Sequence, residues 1–376
     1  MRTLRAPFSI LALLLLLCVG ASDSASAQRL LFQKGGSLFS ADENGKQARL
    51  LFSLPEDTVI WSVSPDGRRI AWMTRLPGSA ESEELSRTPA DIVQQPVAVY
   101  ISDPTGRRRK RLFATDTITD RLNRPAERIG ITPADLPKWL SNPGDLAREL
   151  ETRDGWIPYS LSWSADSQTL YLGCYRLSPV VGPVAAALTV DATSGTAFVD
   201  GDGRWRSLAP ILELDARGKF IVGVADPVLP EPPAKAPGYI PLYAVNLLVG
   251  SRYPLLTLNP DRDTVPPYGF ARQPSLAPEN RLIAFAAMPG NGLWVTDKWG
   301  KSYQQVAEGM VIRPRWTTDG KRVLFLLPRP GNGATGSALP VYDLYSVPVG
   351  AETGSAVLEA PTLVLQGVRW FDIVPN

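Results

Sequence analysis

A chain of 376 residues without a single histidine has a restricted chemical repertoire. Ser-His-Asp and Cys-His triads, the HExxH metalloprotease helix and zinc sites built on imidazole are all excluded. Any catalysis would fall to carboxylates, tyrosine, lysine or arginine. A carboxylate-based glycosidase or lyase is the enzymatic alternative. Glycoside hydrolysis needs two carboxylates about 5 to 10 Å apart, and Glu213 is the one whose position in the chain suits such a site. Recognition chemistry is better supplied. Arg272, Arg313 and Arg315 offer guanidinium forks for carboxylate or phosphate. Tyr159 and Tyr268 offer stackable area with a polar tip. Trp139 and Trp156 flank an insertion, which they either staple down or extend with rings for a ligand.

Weaker patterns add little chemistry. Arg107-Arg108-Arg109-Lys110-Arg111 is a basic run suited to polyanions or anionic head groups, but also to an ordinary solvated turn. Asp200-Gly201-Asp202-Gly203 and Asp261-Arg262-Asp263 lack the twelve-residue loop and bidentate Glu of a calcium site, so no metal and no cofactor is expected. Ser64-Pro65-Asp66-Gly67 resembles the sialidase Asp box without the residue which that motif places between Asp and Gly.

The first 27 residues read as a cleaved export signal. Arg2 and Arg5 precede an apolar stretch from Phe8 to Gly20, too short for a bilayer, and Ala25-Ser26-Ala27 supplies small residues for cleavage before Gln28. Cys18 follows Leu17, a bulky residue where lipidation wants a small one. A periplasmic or extracellular product is therefore expected, with no later transmembrane segment. Its one remaining cysteine, Cys174, cannot form an internal disulfide and reads as a buried thiol. Removing Arg2 and Arg5 from 39 basic residues and Asp23 from 37 acidic ones leaves 37 and 36. Such a balance exerts no global pull on nucleic acid.

The elements that must position these residues repeat along the chain. A cassette opens with a strand and a tight polar turn, as in Trp61-Ser62-Val63-Ser64-Pro65-Asp66-Gly67, Trp163-Ser164-Ala165-Asp166-Ser167 and Trp316-Thr317-Thr318-Asp319-Gly320. Asp with Gly or Asn at these spacings is hairpin chemistry. Each turn leads into a nearly all-apolar run such as Ile70-Ala71-Trp72, Leu282-Ile283-Ala284-Phe285 or Val323-Leu324-Phe325-Leu326, the mark of a strand covered on both faces. Five complete cassettes begin near residues 59, 157, 206, 270 and 311. Residues 29 to 54 hold only the later part of a cassette, and Val368-Arg369-Trp370-Phe371-Asp372 at the far end fits its missing strand.

The Trp-Ser-Pro-Asp-Gly turn, the apolar strand after it, and an aromatic strand ending in Asp before a Gly turn, as in Val99-Tyr100-Ile101-Ser102-Asp103-Pro104-Thr105-Gly106, resemble the WD40-like repeat of the TolB propeller family. The resemblance covers essentially the whole chain after the signal. It implies an all-β, six-bladed β-propeller of four-stranded antiparallel blades, closed by N- and C-terminal strands sharing one blade. The α/β domain that precedes the propeller in that family is not expected. Residues 28–376 would form this single domain, as a monomer, with a short helical insertion near 132–153, whose helix is capped at Asn142-Pro143, runs through Glu151 and could lid the channel.

In such blades the turns after first and third strands share one face, and the other connections share the opposite face. Segments 76–96, 117–156, 176–185, 226–240, 259–269 and 328–341 all belong to the second set. Loops on a rigid scaffold carry binding residues. The expected function is thus an exported, non-catalytic binding module for a protein, peptide or cell-envelope polymer. Its expected site comprises Tyr159, Tyr268, Arg272, Arg313, Arg315, Trp139 and Trp156, with the arginines at the surface and replaceable without loss of fold.

Overall fold

The computed structural model describes residues 28–75, 97–114, 157–178, 182–193, 197–198, 211–217, 220–225, 242–246, 252–256, 270–288, 292–298, 302–329, 341–350 and 359–375. Within them the chain forms antiparallel strands arranged in four-stranded sheets. One sheet contains β4 (Thr58–Val63), β5 (Ile70–Arg75), β6 (Val97–Ser102) and β7 (Lys110–Ala114). The next contains β8 (Ile157–Trp163), β9 (Thr169–Ser178), β10 (Gly182–Asp191) and β11 (Ala197–Phe198). A third has β12 (Ile211–Arg217), β13 (Phe220–Ala225), β14 (Leu242–Asn246) and β15 (Arg252–Leu256). A fourth has β16 (Phe270–Leu276), β17 (Leu282–Met288), β18 (Gly292–Asp297) and β19 (Tyr303–Ala307), and a fifth β20 (Ile312–Trp316), β21 (Arg322–Pro328), β22 (Tyr342–Pro348) and β23 (Thr362–Val368).

Only these five sheets are single runs of chain, so a count of such runs gives five blades. The remaining sheet is composite, not a run of its own: β24 (Trp370–Pro375) pairs with β1 (Gln28–Lys34), which continues through β2 (Ser37–Asp42) to β3 (Arg49–Ser53), in the order β24-β1-β2-β3. The register runs from Gln28 opposite Pro375 to Gln33 opposite Trp370. The innermost strands β24, β4, β8, β12, β16 and β20 contact one another in that order around a ring, and β20 returns to β24.

The core lies between blades. Leu31, Leu38 and Phe52 of the composite sheet pack with Trp61, Ile70 and Trp72. On its other side Leu30, Phe32 and Phe371 pack with Leu324, Leu326 and Leu344. Second strands are thus covered on both faces, which is why Ile70 to Thr74 and Leu282 to Ala287 are buried without alternation.

The polar turns share one construction. In Ser64-Pro65-Asp66 the hydroxyl donates to Asp66 Oδ1 at 2.5 Å and accepts from the Arg69 amide at 2.9 Å, while the Arg68 amide also donates to Asp66 Oδ1 at 3.0 Å. Ser164 with Asp166 and Thr317 with Asp319 repeat this geometry. Burial works against the charge on Asp66 and Asp319. The hydroxyl, the backbone amide and nearby cations outweigh it, so both carboxyls titrate below the ordinary aspartate value. Tryptophans then tie blade to blade. The Trp163 indole donates to the Ser62 carbonyl at 3.2 Å, and Trp316 donates to the Ser275 carbonyl at 3.0 Å.

The turns after first and third strands lie together on one face. The Asp66 amide donates to Ser167 Oγ across two such turns, and the Thr318 amide donates to Gln28 Oε1. Two expectations about connections need correction. Residues 176–185 are mostly strand, since β9 and β10 extend to Ser178 and from Gly182 as one long hairpin. A long connection also follows a third strand, since β22 ends at Pro348 and β23 begins at Thr362. No helix among the described residues is long and apolar enough to cross a membrane. The export signal and the helical insertion lie outside the described residues.

Candidate functional site

Five inner strands carry an irregularity at the same level. Register shifts occur between Thr58 and Ile60, Pro158 and Ser160, Ile211 and Glu213, Arg272 and Ser275, and Ile312 and Arg315. In β16 and β20 the cause is visible in the sequence. Pro274 and Pro314 have no N–H to give the ladder, and they steer the preceding residue away from the right-handed helical region. Gln273 and Arg313, each directly before a proline, adopt φ of 49° and 52° in place of the extended conformation such a position favours. A left-handed conformation costs a non-glycine residue about 1–2 kcal/mol. The two bulges support each other, because the Arg313 amide donates to Gln273 Oε1 at 2.5 Å.

The bulge aims Arg313 into the centre of the ring. Its Nε donates to the Phe371 carbonyl at 2.6 Å, and an Nη reaches both Asp372 Oδ2 at 3.3 Å and the Trp61 carbonyl at 3.5 Å. The guanidinium carbon stands 3.9 Å from the centroid of the Trp370 ring. One side chain from β20 thereby binds β24 and β4, while its own amide binds β16. The residue is 3% exposed. Burial, and then the like charge of Arg315, push its proton affinity well below the ordinary arginine value. Asp372 and Asp215 restore part of it.

Asp372 is the other half of this hub. It accepts from Ser62 Oγ at 2.8 Å and from the Val63 amide at 3.2 Å, and its Oδ1 lies 3.8 Å from Arg315 Nε. Asp215 plays the corresponding part elsewhere in the ring, accepting from the Leu276 amide of the following blade at 2.8 Å. Asp215 and Asp372 are both buried and used as acceptors.

The expected site residues meet different fates. Arg313 is internal, so its expected place at the surface is corrected: the pre-proline bulge turns it inward, where Asp372 and Trp370 receive it. Arg315 and Arg272 are half-buried on adjacent inner strands. Tyr159 occupies the bulge position of β8, and its side chain lies outside the described residues, as does that of Glu213. Tyr268, Trp139, Trp156 and the two Asp-rich segments also lie outside them, and of Cys174 only the backbone is described. The basic run forms the turn from β6 into β7. Among the described residues no group of three or more His, Cys, Asp or Glu could hold a metal ion. Sequence reasoning missed Asp215 and Asp372. Leu214-Asp215 and Phe371-Asp372 put a carboxylate after a large apolar residue on an inner strand, a signal too short to separate from chance.

No protein-family profile and no curated sequence relative matches the chain. Among solved structures, TolB from Acinetobacter baumannii is similar at a TM-score of 0.51 and 13% identity, over 99% of this chain and 75% of that one. A chain of the nidogen/laminin complex is similar at a TM-score of 0.52 and 8% identity, over 92% of this chain and 98% of that one. At such identities the likeness is one of fold, and a propeller fold hosts many functions.

Proposed function

We propose that this chain, a β-propeller of the TolB type, is an exported non-catalytic binding module for a protein, peptide or cell-envelope polymer. The observation that carries this reading is the employment of Asp215 and Asp372, the inner-strand carboxylates whose side chains are described. A glycosidase or lyase needs an acid and a base free to face substrate. Here Asp372 is held by Ser62, Val63, Arg313 and Arg315, and Asp215 by Leu276. Recognition is left to groups such as Arg272 and Arg315, half-buried on adjacent inner strands. Guanidinium forks favour a partner bearing carboxylates, and each charge-assisted contact contributes on the order of 1.5–3 kcal/mol.

Affinity capture from cell-envelope extract tests the reading, with the chain from Gln28 onward as bait. Arg272→Ala and Arg315→Ala should each weaken capture at least about tenfold, with melting checked in parallel because Arg315 also faces Asp372. Capture unchanged by both substitutions would remove the two arginines from the mechanism. Hydrolytic activity abolished by Asp372→Asn in a protein that still melts normally would replace binding with catalysis.

A further inference from the structure

The opposite face carries an independent signal. Asp42, Asp66, Asp103, Asp166, Asp191 and Asp319 each accept, through Oδ1, the backbone amide two residues on, at 2.9 to 3.1 Å. Their charge is turned toward the main chain. Cations on the same turns are turned outward: Lys46, Arg68, Arg107, Arg108, Arg111 and Lys321 are all exposed. None of these six side chains forms a hydrogen bond or ion pair among the described residues.

Four of the six belong to one blade. Arg68 lies on the β4–β5 turn and Arg107, Arg108 and Arg111 on or beside the β6–β7 turn, brought together because Ile70 pairs with Ser102. Their base is rigid. Asp103 Oδ1 accepts from Thr105 N at 2.9 Å, Thr105 Oγ1 at 2.6 Å and Arg107 N at 3.0 Å. Arg109 lies 5.6 Å from the Phe52 ring and 5.9 Å from that of Trp72, and Lys110 Nζ donates to the Thr193 carbonyl at 2.5 Å. Little order is lost when such a turn meets a partner.

We propose that this short-turn face docks on an anionic lipid surface through Arg68, Arg107, Arg108 and Arg111. The described turns are compact and closed by the same Asx geometry, so their exposed charges stand on short hairpins that lie side by side. The aromatic rings beneath them, Phe52, Trp72 and Trp163, are buried, so no stacking platform for nucleobases is presented. Phosphate head groups match such charges, with each cation near the surface strengthening binding about fivefold.

Co-sedimentation of the chain from Gln28 onward with vesicles tests this. Binding to phosphatidylglycerol–phosphatidylcholine vesicles is expected at an ionic strength of about 0.01 M and is expected to vanish at about 1 M, where the Debye length falls to about 3 Å. Vesicles of phosphatidylcholine alone should not bind. The variant Arg107→Gln/Arg108→Asn/Arg111→Gln should lose about a hundredfold in partition with its melting unchanged, and lysine at the three positions should retain binding. Absence of low-salt binding to the anionic vesicles, or full binding by the triple variant, overturns the proposal. So does equal binding to neutral vesicles, or capture of soluble polyphosphate without capture of vesicles. Partner capture by the opposite face is read with other probes and other substitutions, so the two readings fail separately.

Discussion

Replacing Arg313 with alanine tests whether the centre of the ring is held by charge. The substitution removes the 2.6 Å bond to the Phe371 carbonyl, the contact with Asp372 and the cation beside Trp370. Truncating one partner of a buried ion pair costs about 3–5 kcal/mol. Asp372 keeps Ser62, the Val63 amide and Arg315, which pulls the cost toward the lower end. The Phe371 carbonyl, left without its donor, adds about 1–3 kcal/mol, and the lost ring contact up to about 2. These contributions overlap, so a loss of about 4 kcal/mol is the working figure, a large fraction of the stability of any domain. Urea unfolding followed by tryptophan fluorescence should show a lower midpoint with an unchanged slope. Arg313→Lys should fall between, since it keeps a charge and loses the fork. The exposed Arg107→Ala sets the baseline within about 0.5 kcal/mol. A loss under about 1 kcal/mol for Arg313→Ala would refute the hub.

Deleting residues 369–376 should cost more than any point change, because it removes the buried Phe371 and Val374, each contributing about 1.5–3 kcal/mol, together with Asp372; a truncated protein melting cooperatively at the full-length temperature would refute closure by β24. Gly106→Ala should lower stability by about 2 kcal/mol or more on calorimetry, since φ is +72° and an added Cβ would meet Phe52 Cγ at 2.3 Å. Thr317→Val removes the hydroxyl that helps hold the Asp319 carboxyl below its ordinary value. A depressed carboxyl contributes stability above its unfolded value and loses it as pH falls through its folded value. The deficit of this variant in thermal melts should therefore be full above about pH 4 and shrink in more acid solution; a constant deficit would show that the hydroxyl acts only through packing.

The legible parts of this protein are those fixed by neighbours in the chain. Ser-x-Asp and Thr-x-Asp turns close on their own backbone within a few residues, so Asp66, Asp166 and Asp319 announce hairpins wherever they occur. The second strands were readable because two-sided burial leaves no polar alternation, and the orphan segment at Trp370 because β1 lacked a strand beside it. Length was a poorer guide. The segment 176–185 carries Gly182 and Pro183, which suggest a loop, yet pairing along β9 and β10 overrides that local preference.

The sequence by itself therefore determined the repeating hairpin, its apolar second strand and the need for an edge to be closed. Tertiary structure alone decided which charges serve the scaffold. Arg313 and Arg315 are two residues apart and alike in kind, but the bulge at Pro314 sends one into the ring's centre and leaves the other half-exposed. Asp372 gains its partners from β4 and β20, far away in the chain. The worth of a charge depends on the solvent it has lost and the groups that replace it, and both are set by strands that meet only when the ring closes.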